Sequence, residues 1–232
     1  MTQCASFSRG RIARFTRLNA CGAPIFDECS TLVTTGYVSV TGTPNYQDPE
    51  EIQQTDANGR LCVDDQSEPA LRWIDLSILL CEVDPDLINF LTGDPLVMND
   101  AATPEAVGYR IDTAVTGTAK FAMELWQGIS GQPCDPEGNE EFGYRLWPFI
   151  GQGRFGEEVV QNGALTVPIT ARTLAGSQWG VGPYDIRRDA VTPATLEPLE
   201  TPITATQHQH LEISSAPLPE AACGCVDLPT PV

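Results

Sequence analysis

The sequence has few of the residues that carry most enzyme chemistry and most nucleic-acid binding. Its 232 residues include one lysine, Lys120, and two histidines, His208 and His210. Lys120 does not lie in the G-x-x-x-x-G-K-[ST] pattern of a P-loop, and a catalytic triad would need a histidine base from near the C-terminus. The 13 basic and 31 acidic residues give a net charge of −18, which opposes binding to a phosphate backbone. We therefore expect neither an enzyme nor a nucleic-acid-binding protein.

Long apolar runs are also absent. No stretch approaches the eighteen or so apolar residues of a membrane span, and the opening "MTQCASFSRGRIARF" lacks the apolar segment of a secretory signal. We expect a protein made in a cytoplasm, with no membrane partner.

The eight cysteines do not form a recognisable metal motif. Cys223 and Cys225 form C-x-C, and His208 and His210 form H-x-H, but neither has the C-x2-C spacing of a structural zinc site. We expect no metal and no cofactor. Whether the cysteines pair is left open, because an even number permits disulfides and a reducing cytoplasm opposes them.

Two further motifs favour structural interpretations. "GQGRFG" matches the dinucleotide-binding G-x-G-x-x-G, but no helix and no suitably placed acid follow it, so its glycines are expected in turns. "CDPEGNEE" lacks the alternating acids of a calcium loop, so a solvated acidic turn is expected there rather than a calcium site through Asp135, Glu137 and Glu140.

The residues that are abundant indicate an all-β fold with one short helix. Gly and Pro total 39 residues and separate short runs rich in Val, Thr and Ile, as strands require. In "LRWIDLSILLCEV" the apolar residues from Ile74 to Leu80 alternate with polar ones, and "AKFAMELWQG" also alternates, which predicts two half-buried strands. "DPDLINFLTG" predicts a helix at about 85–92, with Asp84 as N-cap and Gly93 at its end.

A long polar segment, residues 44–69, separates two of the predicted strands. A loop of this length inside a compact domain is uncommon and is usually functional or disordered. Its acids are Asp48, Glu50, Glu51, Asp56, Asp64, Asp65 and Glu68.

Three regions are predicted along the chain. Residues 1–30 form an arginine-bearing arm and first strand, and residues 31–188 form a β-sandwich core. Residues 189–232 lack bases and contain many prolines, which predicts an extended arm outside the core.

Four segments together resemble one protein family. "GYVSVTGTPNYQDPEEIQQTDANGRLC", "LLCEVDPDLINFLTGDPLV", "FGYRLWPFIGQGRFG" and "SQWGVGPYDI" resemble, in this order, segments of major tail tube proteins of long, non-contractile-tailed bacteriophages of actinobacteria. The resemblance covers about residues 9–188.

This resemblance implies a structural virion protein. Six copies would form a ring, inner strands of all copies would join in one β-barrel, and stacked rings would enclose an acidic channel through which phage DNA passes without specific binding. The implied partners are further copies of the chain and the tape measure, distal tail and tail-terminator proteins.

On this basis, we expect the 44–69 loop to contact the adjacent ring, with Arg9, Arg11, Arg14 and Arg17 as candidate partners for its acids. Asp75 and Glu124, opposite in phase to apolar neighbours, are the candidate residues lining the channel.

Three alternatives remain open. The loop could be a disordered surface segment, the protein could form a single head–tail joining or tail-terminator ring, or it could be a carbohydrate-binding or enzymatic β-sandwich.

Overall fold

The computed structural model describes residues 4–26, 29–114, 119–131, 133–159, 162–191 and 193–228. These ranges contain one helix, α1, at Pro85–Thr92. The strands are β1 (Phe7–Arg17), β2 (Thr31–Thr34), β3 (Tyr37–Tyr46), β4 (Glu51–Thr55), β5 (Leu61–Gln66), β6 (Leu71–Leu80), β7 (Leu96–Met98), β8 (Ala106–Tyr109), β9 (Lys120–Ile129), β10 (Phe142–Phe155), β11 (Val167–Thr173), β12 (Arg187–Arg188), β13 (Leu196–Glu197) and β14 (His210–Ser214). The predicted class, mostly β with one short helix, is confirmed, and the arrangement fits a β-sandwich.

The main sheet is antiparallel and joins distant parts of the chain. Its order is β2-β1-β9-β10-β11-β6-β3, with β14 also paired to β10. Strands β2 and β3 are therefore the two ends of this seven-strand path, although they are neighbours in sequence, and β14 forms a further edge beside β10.

Strand β10 bends between two sets of partners. Its first part, Phe142–Leu146, lies between β9 and β14, and its second part pairs with β11. The change of partner occurs around Pro148, where the register with β9 shifts between Trp147 and Ile150. Proline has no N–H to give to a ladder and is confined to edges and bulges, which accounts for the irregularity at Pro148.

Strands β9 and β10, in the interior of the sheet, are covered on both faces, whereas β6 has one exposed face. One face packs with α1 around Phe15, Phe121 and Met123. The other packs around Trp126 and Tyr144 under residues of the C-terminal part of the chain. The expectation that β9 is half-buried is therefore wrong, because both of its faces lie inside the protein.

Local sequence determines α1 as predicted. The Asp84 carboxylate accepts from the Asp86 N–H at 2.9 Å, Pro85 occupies the first turn, and Gly93 ends the helix with φ +83°. The C-terminal end of α1 packs against β10, where a Cβ on Gly153 would overlap the Leu91 carbonyl oxygen. Gly151 and Gly153 of "GQGRFG" thus lie in a strand, and the expectation that they occupy turns is wrong.

The C-terminal segment is part of the core, contrary to the prediction of an extended arm. Strand β14 joins the main sheet, and Leu199, Ile203 and Leu228 are buried. A proline-rich composition limits regular structure but does not prevent burial, which explains the error.

Residues 222–228, here called the strap, close the β2 edge. The Val226 and Thr31 backbones exchange two hydrogen bonds of 2.7 and 2.9 Å, and the Ala222 N–H donates to the Val33 carbonyl at 3.2 Å. A disulfide between Cys29 and Cys225, 196 residues apart in sequence, fixes the strap.

We predict that Cys29→Ser lowers the free energy of unfolding under oxidising conditions by about 2–4 kcal/mol, because a cross-link over a long loop restricts the unfolded chain. Chemical denaturation of the variant and wild type measures this, with Cys21→Ser, an exposed cysteine, as the control. Equal losses in the two variants would contradict a stabilising disulfide.

We also predict a pH dependence from His208, which holds the C-terminal segment to β11. The Thr173 hydroxyl accepts from the Ile74 N–H at 2.8 Å and lies 2.7 Å from His208 Nδ1, and burial lowers the pKa of His208. Unfolding exposes the ring, and its pKa then returns to about 6.5. As the pH falls below that value, the unfolded state binds a proton before the folded state does, so the free energy of unfolding decreases. The His208→Gln variant should lose less stability than wild type between pH 7 and pH 5 in urea titrations, and an unchanged loss would assign the effect to other groups.

Candidate assembly surface

The predicted 44–69 loop is largely a β-hairpin that extends the β3–β6 pair. Strands β4 and β5 pair with each other, and the Gln47 N–H donates to the Ala70 carbonyl at 2.7 Å where the hairpin leaves β3 and β6. Residues 47–70 are here called the acidic hairpin. The predicted surface loop is therefore a paired β-hairpin that extends the sheet. The alternative of a disordered segment does not fit this arrangement.

The tip of the acidic hairpin is closed by Asp56. Its Oδ1 accepts from the N–H groups of Asn58 and Arg60, both at 2.8 Å. Gly59 adopts φ +76°, a conformation that glycine accepts without strain. One of the seven acids is therefore used to form the turn.

The other six acids are exposed: Asp48, Glu50, Glu51, Asp64, Asp65 and Glu68. Among the described residues, no ion pair joins any of the seven to a base. The acidic hairpin is thus a projection of uncompensated negative charge.

One face of the acidic hairpin, here called its apolar face, carries three apolar side chains beside Gln54 and Asp65. The register places Ile52 opposite Asp65 and Gln54 opposite Val63, so Ile52, Val63 and Leu61 lie on the same face. These three side chains are 53%, 42% and 53% exposed. Exposed apolar side chains grouped on a projecting hairpin are typical of a contact surface.

The two edges of the main sheet differ. Strand β2 is buried along its length beneath the strap, whereas most of β3 is exposed and pairs only with β6. An uncovered edge presents free backbone N–H and C=O groups that can pair with another chain.

Asp75 is exposed on the outward face of β6, as its phase predicted. Its Oδ2 accepts from the Trp73 indole N–H at 3.0 Å, and Arg172 lies opposite it on β11. The guanidinium carbons of Arg72 and Arg172 lie 4.5 and 4.8 Å from the Trp73 ring centre. This face is therefore mixed in charge, which the sequence pattern did not reveal because Arg172 is nearly a hundred residues away.

The four candidate arginines on β1 do not contact the acidic hairpin. Arg9 is exposed, and Arg11 approaches Glu140 at 3.9 Å. Arg17 donates to Asn89 Oδ1 at 2.6 Å and lies over the Phe90 ring. Arg14 is buried. Within one chain, these arginines serve the core rather than the hairpin.

Glu124 cannot line a channel, which corrects the prediction. It is 1% exposed and makes a two-point ion pair with Arg14 across β1 and β9, at 2.6 and 2.7 Å. The Tyr144 hydroxyl donates to Glu124 Oε1 at 2.8 Å. Alternation correctly assigned Glu124 to the face opposite Met123, but the C-terminal segment covers that face.

The cluster around Arg14 is closed by a second tyrosine. The Arg14 guanidinium carbon lies 3.3 Å from the Tyr184 ring centre, and the Tyr184 hydroxyl is 2.8 and 2.5 Å from the hydroxyls of Thr16 and Thr31. Burial, with Glu124 nearby, raises the pKa of both Tyr144 and Tyr184, so both stay protonated as donors. For Arg14, burial disfavours the charge, but Glu124 more than offsets it and the pKa is raised.

The carbohydrate-binding alternative, for which Trp73, Trp126, Trp147 and Trp179 are the conceivable sugar platforms, loses three of these four residues. Trp126, Trp147 and Trp179 are buried, and Trp73 is half-buried. In "CDPEGNEE" the Asp135 carboxylate accepts from the N–H groups of Glu137 and Asn139 and from the Asn139 side chain, which is the expected turn.

Comparison with known proteins gives no assignment: no known protein family and no curated protein matches the chain. In the part of the chain that the structure describes, no helix has the length and hydropathy needed to cross a membrane.

We predict that Glu124→Gln destabilises the protein by about 3–5 kcal/mol, since it leaves the buried Arg14 charge without its counterion. Asp75→Asn, at an exposed position, should change stability by about 0.5 kcal/mol or less. Urea denaturation of both variants measures the difference, and similar values for the two would show that the buried pair is not held as described.

Proposed function

We propose that the protein is a structural virion protein, the major tail tube subunit of a long-tailed bacteriophage. Copies would form rings, six copies each by the family resemblance, and the rings would stack around a channel for DNA. The observation that carries the proposal is the acidic hairpin, which continues from the uncovered β3 edge of the main sheet.

The open β3 edge supports contacts within a ring. The free β3 edge can pair with a strand of a neighbouring copy, and when the neighbour contributes a different surface the contact is head-to-tail and closes into a ring if the rotation is right. Pairing of this type would extend the sheets of all copies into the barrel that the resemblance implies.

The acidic hairpin supports contacts between rings. At about 3.3 Å per residue, the ten or so residues from Gln47 to its tip span roughly 30 Å, enough to reach past the body of its own subunit. Its apolar face, Ile52, Leu61 and Val63, supplies area to bury, and its acids supply charge that a complementary surface can orient.

The channel wall would be the outward face of β3 and β6. Cross-strand pairs there place Ser39, Thr41 and Thr43 of β3 beside Leu79, Ser77 and Asp75 of β6. Hydroxyl groups and a single carboxylate give DNA no continuous basic track to bind, which suits passage. Because Arg172 neighbours Asp75, the wall would be weakly charged rather than strongly acidic, and the overall charge of −18 would repel DNA mainly at longer range.

We predict that the purified protein forms long tubes in negative-stain electron microscopy, and that deletion of Gln47–Glu68 with a short Gly-Ser bridge abolishes tubes but leaves rings or monomers. The deletion removes exposed residues only, apart from Asp56, so the core should melt as wild type does. As a matched control, Ile52→Ser with Val63→Ser should weaken tubes without shortening the hairpin.

Three outcomes bear on the proposal. Isolated rings from the wild-type protein would favour a head–tail joining or terminator protein, and persistent monomers at high concentration would favour a binding module. Tubes of normal length from the deletion variant would show that the hairpin does not make the contact between rings.

A further inference from the structure

The fold brings three metal-binding side chains together from distant parts of the chain. The Cys29 and Cys225 sulfurs and a carboxylate oxygen of Asp86 lie within 4.8 Å of one another, and all three residues are half-buried. Cys29 precedes β2, Asp86 is in the first turn of α1, and Cys225 belongs to the strap. The sequence analysis expected no metal because it compared spacings within short motifs, and none of these three residues are neighbours in sequence.

Backbone contacts that do not involve the disulfide position these side chains. The Asp84 carboxylate accepts from the Gly224 N–H at 2.7 Å, and the Asp86 carboxylate accepts from the Cys225 N–H. The Cys29 N–H donates to Asp227 Oδ1 at 3.0 Å. The ligand-bearing backbone is therefore held in place when the two sulfurs are thiols, as metal sites require of the groups around their ligands.

The surroundings are suited to a cation. Glu82, Asp84, Asp86 and Glu105 line a cleft of about 610 Å³ on this side of α1, with no basic residue among its lining residues, and Cys223 lines the same cleft. Cys223 and Asp84 line the same cleft and are the candidates for a fourth ligand, although neither belongs to the group of atoms that lie within 4.8 Å of one another.

We propose that the protein with its cysteines reduced binds a thiophilic divalent ion of the zinc class through Cys29, Cys225 and Asp86. Two thiolates, a carboxylate and one further ligand form a tetrahedral donor set that suits Zn²⁺. In such a site the two sulfurs lie roughly 3.8 Å apart, from Zn–S distances of about 2.3 Å, and the Cα atoms of Cys29 and Cys225 are 4.8 Å apart.

Metal binding and the disulfide exclude each other, because both use the same two sulfur atoms. Each would hold the strap to β2 and α1. In a reducing compartment, where thiols persist, the bound ion would hold the strap to β2 and α1. In an oxidising compartment the disulfide holds it.

The test is titration of the full-length protein, reduced with a phosphine, with Co²⁺, which reports thiolate ligands by a charge-transfer band and tetrahedral geometry by intense visible bands. We expect saturation at one equivalent, displacement by Zn²⁺, and an increase in melting temperature of the reduced protein on adding Zn²⁺. The oxidised protein should show none of these.

Substitutions of single residues test which side chains bind the metal. The reduced wild type is the reference for folding, because it also lacks the disulfide. Cys29→Ser and Cys225→Ser should each lower the affinity for Co²⁺ by about a hundredfold or more, Asp86→Asn by about tenfold, and Cys62→Ser on the acidic hairpin not at all. Cys223→Ser distinguishes Cys223 from Asp84 as the fourth ligand.

Two results would overturn the proposal. One is the absence of thiolate bands from the reduced wild type with Co²⁺. The other is the persistence of those bands in the Cys29→Ser, Cys225→Ser double variant, which would place the metal on other cysteines. Circular dichroism of each reduced variant shows that a lost band reflects a lost ligand rather than a lost fold.

Discussion

The ion pair between Arg14 and Glu124 determines how the rest of the fold must be arranged. It lies across β1 and β9, the second and third strands from the β2 end of the main sheet, with both side chains almost fully buried. A buried pair is worth little compared with apolar residues of the same shape, but a slip of one residue would leave both charges uncompensated at high cost. The pair therefore specifies the register of β1 on β9, and its burial needs a cover, which Tyr184 and the C-terminal segment supply.

Covering that face also determines which edge of the sheet is free. The chain that crosses over the Arg14 cluster continues as β14 and ends in the strap along β2, so the β2 edge is closed by the same segment that closes the core. Strand β3 receives no such cover, and the acidic hairpin extends from it. One constraint inside the sheet thus leads, through the path of the C-terminal segment, to an asymmetric subunit with one closed and one open edge.

The features that sequence reasoning predicted correctly are those determined locally. Helix α1 follows from a cap, a proline and a glycine within ten residues, and the outward position of Asp75 follows from alternation along one strand. The Glu124 prediction failed although its alternation was correct, because the pattern gives the face of a side chain but not what packs on that face. The C-terminal segment was missed for a similar reason, since buried Leu199 and Ile203 stand among prolines without a helical or strand period. The Cys29–Cys225 pairing depends on the fold and could not follow from spacing.

The distribution of charge limits how copies of this protein can meet. Many of the arginines are used within the chain: Arg14 and Arg17 in the core, Arg187 with Glu197 at 2.7 Å, and Arg188 on the Ser215 carbonyl. The acids of the hairpin have no such partners, so approaching copies carry unbalanced negative charge, and repulsion persists over about 8 Å at physiological salt. Attraction between copies must then come first from groups without charge, namely the backbone of the β3 edge and the apolar face of the hairpin. The acids act at the margin of that contact, where they disfavour wrong orientations more than they strengthen the correct one.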